Sequence, residues 1–262
     1  MTGPLYEELR RALRDDQPVS LATVVDGPQK GAKLLVRADG SSVGSLGDDD
    51  LDRVVARDMV GELAAGWTGV RHYGPHGEAR ERAVSVFIDS HAPRPRMLIF
   101  GAVDFTAALV DAGRLLGYRV TVCDAREVFA TPARFPTADE VVVDWPHRLL
   151  EQVGPELGPR DAVCVLTHDH KFDVPAIVAA LGTDVGYLGA MGSRRTHEER
   201  VARLREEGVD EGSIRRVMAP IGLDIGSRTP EETAIAICAE IIAVRTGHDA
   251  PSLRDASGPI HR

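Results

Sequence analysis

Apolar residues recur at helical spacing over residues 5–13, with charges between them, and then close up into a run at 19–25 that stops at Asp26-Gly27-Pro28. A period near 3.6 followed by a continuous apolar stretch and a Gly-Pro stop predicts helix, strand and turn. The pattern continues with a strand at 33–36, the turn Ala38-Asp39-Gly40, a strand at 42–45, a helix from Asp50 to about Ala65 and a strand at 83–88. Together these predict a small α+β domain over residues 1–92. His91-Ala92-Pro93-Arg94-Pro95-Arg96 then carries two prolines, which favour extended backbone and predict a linker.

Beyond the linker the pattern changes. Apolar runs at 97–100, 119–123, 140–143, 162–167 and 185–188 alternate with helical spacing at 106–116 and 174–181. Strands that are apolar on both faces must be covered on both, so residues 96–247 are predicted to form an α/β domain, a Rossmann-like doubly wound parallel sheet. Thr229-Pro230-Glu231-Glu232 supplies a capping hydroxyl, a proline at the first helical position and a glutamate at the third. This predicts a last helix that runs to about Arg245 and stops before Gly247, leaving 248–262 as a surface tail.

Composition narrows the function classes. No apolar run approaches the roughly 18–20 residues of a membrane-spanning helix, which excludes an integral membrane protein of that kind. With 31 Lys+Arg against 40 Asp+Glu, the net charge of −9 offers no footprint for nucleic acid. An anionic ligand therefore needs a local basic pocket. Cys123, Cys164 and Cys238 lie far apart in apolar stretches without metal-ligand spacing, and are expected to be buried thiols. The first residues alternate in charge and lack the apolar core of a secretory signal, so a cytoplasmic protein is expected.

In an open parallel sheet, ligands collect at the carboxyl ends of the strands. Five loops there carry unusual residues. Gly101-Ala102-Val103-Asp104-Phe105-Thr106 stands where a dinucleotide-binding turn places G-x-G-x-x-G, and Asp124 follows 23 residues after Gly101, where a ribose-binding acid would sit. Val103 replaces the glycine that lets backbone approach a pyrophosphate, and Asp104 can cap the helix and repel phosphate, so NAD(P) is disfavoured. Thr167-His168-Asp169-His170-Lys171-Phe172-Asp173 has two readings. Either His168 and His170 supply metal ligands or proton-transfer groups while Lys171 meets an anion, or Asp173 caps a helix starting near Val174 and the histidines bond loop backbone.

The third loop, Gly189-Ala190-Met191-Gly192-Ser193-Arg194-Arg195-Thr196, puts small residues, a hydroxyl and two arginines at a helix N-terminus, the makings of an anion cradle. The fourth, from Pro220 through Gly226 and Arg228 to Thr229, is similar, with part of it given over to capping. The fifth, Asp124-Ala125-Arg126, either binds a sugar or ends a strand.

Taken together, GYRVTVCDAREVFATPARFPTADEVVV (117–143), VLTHDHKFDVPAI (165–177), YLGAMGSRRTHEERVARL (187–204) and PIGLDIGSRTPEETAIAICAEIIAVRTG (220–247) closely resemble the XdhC/CoxI family. Its members are accessory factors for xanthine dehydrogenase and carbon monoxide dehydrogenase. A shorter likeness runs through Gly31-Ala32-Lys33-Leu34-Leu35-Val36 to Val43-Gly44-Ser45-Leu46-Gly47. The resemblance implies a protein that binds molybdenum cofactor, a pterin with dithiolene, phosphate and molybdenum, and protects it. It further implies transfer to an apo molybdenum hydroxylase once a sulfurtransferase or cysteine desulfurase has installed the terminal sulfido ligand, and a homodimer. With the strand-end loops it points to cofactor contacts at Gly101, Asp124, His168, His170, Gly192, Ser193, Arg194, Arg195, Gly226, Arg228 and Thr229. Two stretches depart from the family pattern. Many relatives have Gly-Ala-Gly-His at the first turn, and many have Gly-Gly-Cys or Gly-Gly-Gly where this chain has Gly47-Asp48-Asp49-Asp50. The missing cysteine removes one route to sulfur handling, and the aspartates disfavour an anion. Two other readings are an NAD(P)-dependent oxidoreductase with His168 or His170 as acid-base group, and a metal-dependent hydrolase built on His168, Asp169 and His170.

Overall fold

The computed structural model describes residues 3–79, 81–167 and 169–255; His168 and the end of the predicted tail lie outside the described residues. The chain forms two compact units, one ending at Pro93 and the other beginning at Arg94. No described helix is long and apolar enough to cross a membrane.

The first unit contains α1 (Pro4–Arg14), β1 (Val19–Asp26), β2 (Lys33–Arg37), β3 (Ser42–Ser45), α2 (Asp49–Ala65), β4 (Gly69–Tyr73) and β5 (Val84–His91). The strands pair antiparallel in the order β3-β2-β1-β5-β4. In β5 the alternation is plain: Val84, Val86 and Ile88 are buried while Phe87 faces out. With Ala22, Val24, Leu34 and Val36 they form one apolar face, which α2 covers through Leu51, Val55, Met59 and Leu63. Asp48 caps α2 by accepting from the Asp50 and Leu51 amides, and Asp49 and Asp50 sit in the first turn, where the helix dipole favours them. The aspartate run thus serves the helix start. β4 carries almost no apolar signal because it is an edge strand with one buried residue, Tyr73.

The second unit contains β6 (Arg96–Phe100), α3 (Asp104–Leu115), β7 (Arg119–Cys123), β8 (Glu140–Val142), α4 (Pro146–Val153), β9 (Ala162–Val165), α5 (His170–Leu181), β10 (Tyr187–Ala190), α6 (Arg194–Glu206), α7 (Glu211–Ile214), β11 (Val217–Met218) and α8 (Pro230–Thr246). All its strands are parallel, in the order β11-β10-β9-β6-β7-β8. That is the doubly wound dinucleotide-fold order, with the topological switch between β6 and β9. One face packs Met97, Ile99 and Val120 against Leu109 of α3 and Ile237 and Ile241 of α8. The other packs Phe100, Val163 and Val165 against Leu149 and Leu150 of α4, Ile177 of α5 and Leu204 of α6.

The predicted α/β class with its parallel sheet holds, and three local expectations are corrected. α5 starts at His170, not near Val174, and Asp169 rather than Asp173 caps it by accepting from the Lys171 amide. Asp173 is instead buried in the first turn, where polar partners from elsewhere in the fold hold it. Asp104 is the first residue of α3 and makes no cap; the Thr106 hydroxyl accepts from the Val103 amide at 3.2 Å and donates to the Gly101 carbonyl at 2.5 Å. The strand expected at 185–188 lies at Tyr187–Ala190.

Candidate functional site

The switch between β6 and β9 opens a cleft of about 460 Å³ lined by Val103, Arg126, Thr167, Asp169, His170 and Phe172. It forms because the loops after these neighbouring strands leave for opposite faces of the sheet, α3 on one and α5 on the other. Gly101 allows the two loops to touch. Its φ is +114°, and a Cβ there would fall 2.7 Å from Thr167 Cγ2 and 3.0 Å from the Thr167 amide. Gly101 is therefore required for the packing of these two loops.

The first three amides of the turn are engaged internally. Gly101 N–H donates to the Cys123 carbonyl at 2.9 Å, Ala102 N–H to Asp124 Oδ2 at 2.8 Å and Val103 N–H to Thr106 Oγ1. Asp124 is likewise filled, which corrects its reading as a ribose or cofactor contact. Oδ1 accepts from the Arg126 amide and Nε, both at 2.9 Å, and Oδ2 accepts from Arg126 Nη2 at 2.7 Å besides the Ala102 amide. Burial pushes the Asp124 pKa up, but these donors, Arg126 foremost, outweigh it and hold the carboxyl below its usual value. The consequence falls on Arg126, whose guanidinium is fixed in plane and lies over the Phe129 ring, 4.6 Å from its centroid.

On the other side of the cleft, Phe172 stacks on Trp145, with ring centroids 4.8 Å apart and an interplanar angle of 30°. Trp145 precedes α4, whose first residue is Pro146, so the loop after β8 reaches across to the start of α5. Neither aromatic was singled out from sequence; an aromatic in a polar strand-end loop was the available signal for both.

A second, smaller cleft of about 100 Å³ shares His170 and is lined further by Asp173, Thr196, Glu199, Arg200 and Arg203. At its base Asp173 and Arg200 form a buried ion pair at 3.0 Å, with Arg200 Nη2 also donating to the Met191 carbonyl at 2.8 Å and the Thr167 hydroxyl to Asp173 Oδ1. Burial raises the Asp173 pKa to about 6 despite the opposing Arg200 charge. Arg200 Nη1 and His197 Nδ1 are buried and meet no hydrogen-bond partner among the described residues. Arg200 escaped notice because it sits in a charge-rich helix that reads as solvated.

The two arginine loops differ. Ser193 caps α6 by accepting from the Thr196 amide at 3.1 Å, and Gly192 takes φ +148°. The amides of Arg194 and Arg195 meet no acceptor among the described residues; the Arg195 side chain pairs with Glu199 at 3.1 Å. At α8 a side chain of the helix itself reaches back to the residues before it. Arg228 N–H and Thr229 N–H both donate to Glu232 Oε2, at 2.7 and 3.1 Å, and Glu232 N–H donates back to the Thr229 hydroxyl. The Glu232 carboxylate thus sits at the start of α8, where the sequence suggested an anion cradle, and Gly226, Arg228 and Thr229 line neither cleft.

Cys123, Cys164 and Cys238 are free and buried, as expected. Burial pushes the Cys123 thiol up to about 12 and Cys238 to about 11, and raises Cys164 as well. Among the described residues no three His, Cys, Asp or Glu side chains are placed to hold a metal ion; the metal reading includes His168, which lies outside the described residues.

The model of the XdhC Rossmann domain matches residues 97–241, and that of the XdhC and CoxI family matches 12–74. The chain is 29% identical to the uncharacterized protein YqeB of Escherichia coli over 97% of its own length and 49% of that protein's. It is 32% identical to a probable xanthine dehydrogenase subunit of Bacillus subtilis over 63% of this chain and 47% of the relative. It is 34% identical to the molybdenum cofactor insertion chaperone PaoD of Escherichia coli over 35% of this chain and 29% of that one. The chain thus spans about half the length, or less, of the curated relatives it matches. A crystal structure of a xanthine dehydrogenase from Bacillus halodurans shares the fold, with TM-score 0.55 and 23% identity over 94% of this chain and 97% of that one.

Proposed function

The chain belongs to the XdhC and CoxI family, and from that premise we propose that it binds molybdenum cofactor and assists its maturation and insertion into a molybdenum hydroxylase of the xanthine dehydrogenase type. The observation that carries this reading is the switch-point cleft, with its fixed guanidinium, its aromatic wall and a half-exposed carboxylate. In this role the cofactor is cargo. Its molybdenum arrives on the pterin dithiolene, so the protein has to supply flat walls, hydrogen-bond partners and a counter-charge rather than metal ligands. The residues present fit that need.

Among the contacts expected from sequence, His170 belongs to both clefts, and Gly192, Ser193, Arg194 and Arg195 offer open amides and positive charge at the start of α6 for the anionic part of the cargo. Gly101, Asp124, Gly226 and Thr229 act by shaping their loops. The buried, protonated thiols favour carriage over sulfur transfer by this chain, leaving sulfuration to a sulfurtransferase or cysteine desulfurase partner. Receipt by an apo-hydroxylase and action as a homodimer complete the proposal. An NAD(P)-dependent role draws little support from a first turn whose Gly101, Ala102 and Val103 amides are engaged internally and whose helix start carries the Asp104 carboxylate.

The test is equilibrium binding of molybdenum cofactor, released anaerobically from a donor enzyme, to the purified chain. Saturable binding that transfers to an apo-hydroxylase and restores its activity is expected. Absence of binding would overturn the reading.

A further inference from the structure

The two flat walls of the switch-point cleft are locked without any ligand. Arg126 is gripped by both oxygens of Asp124 and backed by Phe129, and Phe172 is backed by Trp145. A planar guanidinium and a benzene ring are the surfaces on which flat heterocycles stack, and side chains already held in place lose little freedom in doing so. The cleft volume of about 460 Å³ is that of a small-molecule pocket.

Asp169 supplies an edge. Its Oδ1 accepts from the Lys171 amide at 3.0 Å, Oδ2 meets no protein donor among the described residues, and its side chain is 51% exposed. The Arg126 pKa is raised first by its bonds to Asp124 and to a smaller extent by the Asp169 charge, which puts Asp169 within electrostatic reach of the Arg126 wall. An ionised carboxylate only accepts hydrogen bonds. It therefore suits a ring edge that presents two adjacent N–H donors, as the 2-amino-4-oxopyrimidine edge of pterin and guanine does. It suits less well an adenine edge, where a donor stands beside an acceptor.

We propose that this cleft is a ring-binding slot for a fused 2-amino-4-oxopyrimidine, stacked against Arg126 and Phe172 with its N–H edge on Asp169. The slot rests on the carrier reading for the relevance of a pterin, and goes beyond it in naming the pocket and its edge selectivity. Ring recognition here uses Arg126, Phe172 and Asp169, none of which needs a diphosphate.

The test is calorimetric titration of the full chain with pterin-6-carboxylate, guanosine monophosphate and adenosine monophosphate, with intact molybdenum cofactor in parallel. Saturable binding of the pterin or the guanine nucleotide is expected, with the adenine nucleotide about tenfold weaker or more, because a site built around a hydrogen-bonded edge rejects a ring lacking it. The tighter of the first two names the source of the ring. Asp169→Asn, which keeps a capping residue on α5, should remove most of that selectivity, and Phe172→Leu should weaken all three ligands, with melting temperatures confirming the fold. The slot is overturned if neither ring binds, if adenine binds as well, or if Asp169→Asn has no effect. Intact cofactor that binds regardless of these substitutions overturns the slot and leaves the carrier reading standing. Selective ring binding without cofactor binding does the reverse.

Discussion

Arg200 and Asp173 join α6 to α5 through a buried ion pair in which Nη2 lies 3.0 Å from Oδ2 and each side chain is only 3% exposed. The Thr167 hydroxyl and the Met191 carbonyl complete the network, so the loops leaving β9 and β10 are tied together under the smaller cleft.

Removing one member strands the other. Arg200→Met should destabilise the chain by about 3–5 kcal/mol, the loss typical of an uncompensated buried charge. Arg200→Lys, which keeps the charge but not the fork, should lose less. Urea denaturation monitored by circular dichroism measures both, and a loss below about 1 kcal/mol for the methionine variant would contradict the burial of this pair.

The same aspartate sets a pH dependence of unusual sign. Its folded pKa of about 6 lies above the roughly 3.9 of an unfolded chain, so between those values the folded state holds the extra proton. Its stabilising contribution is full below about pH 4 and is lost as pH rises through 6. Asp124, held below its usual value, works the other way: its contribution is present above about pH 4 and lost as pH falls through its folded pKa. The wild-type minus Asp173→Asn stability difference, measured by denaturation from pH 4 to 7, should therefore decline with pH. A difference that rises across the window would refute the assignment.

Restoring a glycine to the first turn should not restore nucleotide binding. Val103→Gly opens space, but the Gly101, Ala102 and Val103 amides keep their internal acceptors. Titration with NAD(H) and NADP(H) should show no saturable binding by the variant at millimolar ligand, which corresponds to less than about 4 kcal/mol of affinity.

The two arginine loops should separate in cofactor binding. Arg194→Ala is expected to weaken it several-fold, by about 1 kcal/mol, whereas Arg228→Ala should leave it within about twofold because Glu232 already fills that helix start. Equal losses in both variants would return the fourth loop to the site.

A strand marked by a continuous apolar run, such as Arg119–Cys123, or fenced by a turn, such as Ser42–Ser45, is legible to the residue because the signal is local. The α5 start is not, since Asp169 and Asp173 are equally good capping types. What decides between them is that Thr167 and Arg200 draw Asp173 inward, and Arg200 is 27 residues away. The site divides in the same way. That the chemistry gathers at strand ends follows from strand order in the fold class. That Asp124 would be consumed by Arg126 and the Ala102 amide, or that Glu232 would close the α8 start, depends on which donor reaches which acceptor first. Composition does not encode that contest, and the stack of Phe172 on Trp145 is hidden for the same reason, because it joins loops distant in sequence.

The depth of the three cysteines has a practical side. An aromatic disulfide reagent should find no rapidly reacting thiol on the native chain and three after denaturation. If the chain carries the cofactor as proposed, thiols this deep would form no mixed disulfide with a sulfur-rich passenger and offer no competing site for oxidants. One cysteine introduced on the surface would then be a unique handle for a spectroscopic label, through which docking onto a client could be followed without disturbing the interior.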